Sequence, residues 1–121
     1  MGKGTILVVD DDPTITEMVQ AALEMEGYTV YCAADGAALQ IAHDLDPDTI
    51  LLDIMMPGMD GAEVSRRLRA DPVTAAIPIV VMSAHDRLQA VSGALPVDDR
   101  LAKPFDLLTL YATMARWTVG R

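Results

Sequence analysis

The sequence predicts an α/β fold, one domain in three layers with helices on both faces of a five-stranded parallel sheet. Four apolar runs and a shorter fifth alternate with stretches of helical periodicity. The runs are continuous rather than alternating apolar and polar, which is the pattern of parallel strands buried on both faces. Each ends at a polar residue or turn signal.

Thr5-Ile6-Leu7-Val8-Val9 is the first run, and it stops at Asp10-Asp11-Asp12-Pro13. Asp12 suits an N-cap and Pro13 the first helical position. Ile15, Met18, Val19, Ala22 and Leu23 then mark one helix face that ends near Gly27. Tyr28-Thr29-Val30-Tyr31-Cys32-Ala33 is the second strand. Asp35-Gly36 opens a helix with Ala38, Ile41, Ala42 and Leu45 on one face, closed by Asp46-Pro47. Thr49-Ile50-Leu51-Leu52 is the third strand, stopping at Asp53. A Pro57-Gly58-Met59-Asp60-Gly61 loop leads into a helix through Val64 and Leu68, with Arg66, Arg67 and Arg69 on its wet side and Asp71-Pro72 at its end.

Ile77-Pro78-Ile79-Val80-Val81-Met82 is the fourth strand and ends at Ser83. From His85 to Val97, Leu88 and Val91 allow a short helix that Gly93 and Pro96 truncate. Arg100-Leu101-Ala102 is the fifth strand, ending at Lys103-Pro104. Leu107, Leu110, Tyr111, Met114 and Thr118 mark the face of a last helix. Five strands and five helices with right-handed crossovers favour the flavodoxin-like strand order 2-1-3-4-5.

The 121 residues suit a single domain over 1–121 with one proper core. A content of 51% hydrophobic and 22% charged residues is that of a globular chain and too apolar for a disordered one. Acidic residues outnumber basic ones 18 to 9, and the net charge of -9 disfavours direct contact with nucleic acid or an anionic membrane. The single cysteine, Cys32, lies in an apolar stretch and reads as core filler, in keeping with a reducing cytoplasm. No run approaches the length of a membrane span, and the expected location is cytoplasmic.

Once the strands are placed, their terminal polar residues share one edge of the sheet: Asp10 and Asp11, Asp53, Ser83 and Lys103. A buried strand has no use for an unpaired carboxylate, whose desolvation costs several kcal/mol at least. Each of the five alone reads as a cap, a turn residue or a solvated charge. Five around one crevice point to chemistry. Crowded carboxylates need a balancing cation, and their hard oxygens suit Mg²⁺. With that cation and Lys103 beside Asp53, the site suits arrival of a phosphoryl group, to which Ser83 can donate a hydrogen bond.

Val8-Val9-Asp10-Asp11-Asp12-Pro13, Leu52-Asp53-Ile54-Met55-Met56-Pro57-Gly58-Met59-Asp60-Gly61, Met82-Ser83-Ala84 and Leu101-Ala102-Lys103-Pro104-Phe105 occur in that order. Together they resemble the receiver domain of two-component response regulators, over nearly the whole chain. The resemblance implies that Asp53 accepts a phosphoryl group from the phosphohistidine of a sensor histidine kinase or phosphotransfer protein. It implies that Asp11 binds Mg²⁺ directly, Asp10 through water and Met55 through its backbone carbonyl. Ser83 is then the switch hydroxyl, Lys103 pairs with the phosphoryl group, and the Lys103-Pro104 peptide is cis. Met55 and His85 flank the approach of water and tune the lifetime of the acyl phosphate. Such a chain is a switch for protein contacts, not a classical enzyme, and assists only its own phosphorylation and dephosphorylation.

Two departures stand out. Arg100 replaces the aromatic switch residue three positions before the lysine, and the stretch from Ser83 to Lys103 is about two residues short, with Leu95-Pro96-Val97 in place of Gly-Ala. They support an alternative, a receiver-like interaction module that works without a phosphorylation-driven switch. A phosphohydrolase of the haloacid dehalogenase type would want an Asp where Met55 stands, and a flavin protein a phosphate loop after the first strand. With no effector segment after the last helix, the chain reads either as a stand-alone regulator or as a piece of a longer one, with an unknown downstream protein target. Trp117 and Leu108 would serve a homodimer or cover the core.

Overall fold

A computed structural model describes residues 3–56, 59–84 and 96–118. The strands are β1 (Thr5–Val9), β2 (Thr29–Ala33), β3 (Thr49–Asp53), β4 (Met55–Met56), β5 (Met59–Asp60), β6 (Ile79–Ala84) and β7 (Asp99–Lys103). The helices are α1 (Pro13–Met25), α2 (Ala38–Leu45), α3 (Gly61–Ala70) and α4 (Leu107–Trp117). The main sheet is parallel with the order β2-β1-β3-β6-β7, the order expected from the sequence. The helix expected between Ser83 and Val97 falls on residues 85–95, outside the described residues.

The continuous apolar runs have a simple origin, because successive side chains of a strand face opposite ways. Leu7, Val9, Ile50, Leu52, Ile79 and Val81 meet Ala38 and Ala42 of α2 and Val64 and Leu68 of α3. Ile6, Val8, Leu51, Val80 and Met82 meet Val19 and Leu23 of α1 and Leu110 and Met114 of α4. Both faces of the central strands are dry, so β1, β3 and β6 are apolar along nearly their whole length.

Local signals set the ends of the elements. Asp12 caps α1 by accepting from the Thr14 amide at 2.9 Å, with Pro13 opening the helix. At its other end the Gly27 amide donates to Glu24 and the Tyr28 amide to Leu23, a pairing that needs the positive φ of 99° at Gly27. Asp46 closes α2 in the left-handed region at φ 49°, a conformation its short polar side chain tolerates. Thr49 ties the start of β3 to the end of α4: its hydroxyl donates to the Trp117 carbonyl at 3.1 Å and lies 2.7 Å from that of Thr118.

Several expectations need correction. Cys32 is exposed, not core filler, because β2 is an edge strand with β1 on one side only, and its thiol lies 3.6 Å from the Gln20 side-chain oxygen. Partial burial, then the Glu24 charge, push the Cys32 pKa up, which disfavours the reactive thiolate. Arg69 does not join Arg66 and Arg67 on the wet side. It turns inward, where its planar fork meets backbone carbonyls outside any ladder. Ile77 is fully buried but precedes β6. Leu107 and Met18, expected on buried faces, are 43% and 40% exposed. Part of the expected loop after Asp53 is an antiparallel pair, Met55 with Asp60 and Met56 with Met59. Trp117 covers the core edge and donates to Asp99 at 2.8 Å, whereas Leu108 stays 79% exposed.

Gly61 starts α3 against the chain that leaves Asp53. A Cβ there would stand 2.4 Å from the Ile54 Cα, so the backbone would have to move. Gly61→Ala is expected to cost about 1–3 kcal/mol through overpacking, read from urea unfolding; an unchanged midpoint would refute the close packing. His43 and Asp71 join α2 to the end of α3 at 2.7 Å. The hydrogen bond to Asp71, then its charge, raise the His43 pKa, and the bond to His43, then the Val73 amide, lower that of Asp71. A raised histidine value stabilises fully below its unfolded pKa and is lost as pH rises through the folded one; a lowered carboxyl value is lost as pH falls. The contribution is therefore complete between about pH 4 and 6.5. The stability difference between wild type and His43→Ala should narrow from pH 6 to pH 9, and a constant difference would rule out the pair.

Candidate functional site

Parallel strands present their carboxyl ends together, and the central strands of this sheet end in charge. Asp10 follows β1 and its amide donates to the Ala33 carbonyl at 3.1 Å, which holds it in line with the sheet. Asp53 closes β3, and the register Asp53↔Met82 sets β6 beside it. Ser83 is next on β6, buried, opposite Ala102 of β7, and Ala84 is opposite Lys103. The sheet register alone therefore brings Asp10, Asp53, Ser83 and Lys103 to one edge, with Asp11 entering from the turn before α1.

Oxygens of Asp10, Asp11 and Asp53 all lie within 4.8 Å of one another. At that spacing each pair of carboxylates repels by about 3–4 kcal/mol at an effective dielectric near 20. Among the described residues Lys103 answers part of this charge: its ammonium is 2.8 Å from Asp10 Oδ2 and 3.5 Å from Asp53 Oδ2. The Asp10 side chain is fully buried, and its other oxygen accepts from the Asp12 amide at 3.0 Å. Burial works against the Lys103 ammonium, but the bond to Asp10 and the charges of Asp53 and Asp10 outweigh it, so its pKa is raised. It stays charged at neutral pH. Three carboxylates against one ammonium leave an excess of negative charge, and this set of hard oxygens, one of them on the exposed Asp11, fits a small divalent cation such as Mg²⁺.

Two hollows flank the carboxylates. One of about 240 Å³ is lined by Asp10, Asp11, Thr16 and Cys32, toward the β2 edge. The other, about 260 Å³, lies between Ile15 and Met18 of α1 and Lys103, Pro104 and Phe105. The Lys103-Pro104 peptide is cis, as the resemblance implied. Met55 lies in β4 two residues past Asp53, in register with Asp60. His85 lies outside the described residues. Arg100 faces the same side of the sheet as Val81, half-buried, and its Nε is buried with no hydrogen-bond partner among the described residues. The sequence did not reveal the apolar hollow beside Lys103, although Phe105 immediately after Lys103-Pro104 was a visible sign of it.

Residues 6–115 match the family described as the response regulator receiver domain. The chain is 46% identical over 113 residues to the DNA-binding dual master transcriptional regulator RpaA of Synechocystis sp., covering 88% of this chain and 46% of that protein. It is 46% identical over 120 residues to the response regulator PleD of Caulobacter vibrioides, covering 93% of this chain and 26% of the relative. The chain thus spans less than half the length of these relatives. Among solved structures, a putative response regulator from Chloroflexus aurantiacus J-10-fl superposes with a TM-score of 0.89 at 34% identity, covering 97% of this chain and 98% of that one. The receiver domain of the sensor histidine kinase PA1611 from Pseudomonas aeruginosa PAO1, which has a magnesium ion coordinated in its active site cleft, superposes with a TM-score of 0.85 at 31% identity over 97% of this chain and 98% of that one. In sequence, in strand order and in the acidic edge of its sheet, this chain belongs to the receiver-domain family of two-component response regulators.

Proposed function

We propose that Asp53 accepts a phosphoryl group from a phosphohistidine of a sensor kinase or phosphotransfer protein, and that the acyl phosphate switches contacts with a downstream protein. The observation that carries this reading is the cluster of Asp10, Asp11 and Asp53 oxygens around a single lysine ammonium at the carboxyl edge of a buried sheet. Asp11 and Asp53 would hold Mg²⁺ directly, with the Met55 carbonyl, and Asp10 through water. Both Asp10 oxygens already accept a hydrogen bond, which suits the indirect role. Bound there, Mg²⁺ neutralises charge on the carboxylates and on the incoming phosphoryl oxygens.

The step itself is a displacement at phosphorus. An Asp53 carboxylate oxygen attacks, an O–P bond forms, the N–P bond of the phosphohistidine breaks, and the released imidazole takes a proton. Lys103, held charged beside Asp53, follows the charge onto the phosphoryl group, and Ser83 donates a hydrogen bond to one of its oxygens. Water attack on the phosphoryl group later returns the carboxylate and releases phosphate, with Met55 and His85 setting the approach. The domain so described spans residues 1–121 and acts in the cytoplasm, as a signalling domain rather than a classical enzyme. No described helix is long and apolar enough to cross a membrane. The chain covers 46% of a relative named as DNA-binding, and a net charge of -9 sets nucleic-acid contact outside this portion.

Incubated with Mg²⁺ and a small phosphodonor such as acetyl phosphate, and then with a phosphorylated kinase, the wild type should gain a single phosphoryl adduct by intact mass and Asp53→Asn none. An adduct on both, or on neither with either donor, would refute the assignment. Lys103→Met should slow adduct formation by roughly 10²–10³, the effect of removing one preorganised donor to developing charge. In the absence of Mg²⁺, Asp53→Asn relieves the repulsion within the cluster and should unfold at a higher temperature than wild type, and added Mg²⁺ should narrow that gap. A lower midpoint for the variant would show that the cluster is not strained by like charge.

A further inference from the structure

We propose that Arg69 and Asp98 are positioning residues that set the register between β6 and β7, and through it hold Lys103 against Asp53. The starting observation is how little else fixes β7. Of its five residues only Leu101 is buried. A strand with one buried side chain has a weakly specified register, and a slip of one residue turns every side chain to the opposite face. Such a slip would carry Lys103 away from Asp10 and Asp53, the two carboxylates it now meets.

A polar pin stands where β6 and β7 begin. Asp98 and Ile79 bond reciprocally: the Asp98 amide donates to the Ile79 carbonyl at 2.9 Å and the Ile79 amide to Asp98 Oδ2 at 2.8 Å. Arg69 then clamps that pair to the end of α3. Its Nη2 donates to Asp98 Oδ2, its Nε to the Pro96 carbonyl at 2.9 Å, and its Nη1 to the carbonyls of Ala75 and Ile77 at 3.0 and 2.7 Å. One planar guanidinium thus joins the chain entering β6 to the chain entering β7, a task a lysine ammonium has too few fixed donors to perform. The ladder then runs from Val80↔Asp99 to Ala84↔Lys103, so what is fixed at one end of the strands is delivered at the other.

Phosphoryl transfer is sensitive to such a delivery, since a misplacement of about 1 Å can cost roughly a hundredfold in rate. The ligands of the divalent cation stay in place, because Asp10, Asp11 and Asp53 come from the chain following β1 and from β3, and moving the Lys103 ammonium off Asp10 leaves more negative charge for the cation. The proposal rests on the roles given above to Asp53 and Lys103, and it separates two quantities that a general loosening of the fold would move together.

The test measures Mg²⁺ affinity by calorimetry, the rate of phosphorylation by acetyl phosphate, and amide exchange with cross-strand NOEs between β6 and β7, below each variant's melting range. Arg69→Ala and Asp98→Ala should bind Mg²⁺ at least as tightly as wild type does, lose protection at the Ile79 and Asp98 amides, and accept the phosphoryl group at least about tenfold more slowly. Asp98→Asn, which keeps an oxygen for the Ile79 amide, should recover much of the rate lost in Asp98→Ala. If Arg69→Ala does not fold, Arg69→Lys carries the same comparison with a smaller loss. A wild-type rate in these variants, or a fall in Mg²⁺ affinity alongside the rate, overturns the proposal. If wild type itself takes no phosphoryl group, the reading of Asp53 fails instead; the NOEs alone then decide, an unchanged β6–β7 register in Arg69→Ala overturning the pin and a shifted one supporting it.

Discussion

Three carboxylates crowd the carboxyl edge of the sheet, and the Lys103 ammonium is shared between two of them, 2.8 Å from Asp10 and 3.5 Å from Asp53. This interaction spans the sheet, since it joins the chain after β1 and the end of β3 to the end of the outer strand β7. An isolated buried carboxylate would be costly, and here two buried ones, Asp10 and Asp53, stand beside each other and the exposed Asp11. The fold tolerates them because the strands beneath are buried on both faces and cannot easily rearrange. The excess negative charge of these hard oxygens fits a small divalent cation.

The same constraint explains where polar groups are spent elsewhere. The site draws on four strands, so it is only as well formed as the registers between them. β1, β3 and β6 are registered by dry apolar side chains on both faces, whereas β7 has only Leu101 buried, with the small Ala102 partly buried on the other face. Hydrogen bonds take over at that point, from Arg69 and Asp98 at one end of β7 and from Lys103 at the other. Arg100, with its buried Nε, sits between these two polar anchors, next to Leu101.

Much of this was legible in the residues themselves. The strands, the capping by Asp12 and Pro13, and the convergence of Asp10, Asp11, Asp53, Ser83 and Lys103 follow from apolar runs that stop at polar residues. Such runs report burial, and burial on both faces leaves little choice of architecture. Less legible were residues whose surroundings come from distant parts of the chain. Nothing local to Cys32 says that its strand lies at an edge, and helical periodicity places Arg69 with its wet neighbours until the chain around residues 75–77 and 96–98 supplies four acceptors.

By itself, then, the sequence determined the class of fold, the order of its elements and the residues that meet at the strand ends, because hydrophobic periodicity and turn chemistry are local properties. Only the tertiary structure decided the distances within the acidic cluster, the sharing of Lys103 between Asp10 and Asp53, the exposure of β2 and the pin at the start of β7. Those depend on strand neighbours and on groups far apart in the chain, and their physical cause is the packing of the whole sheet.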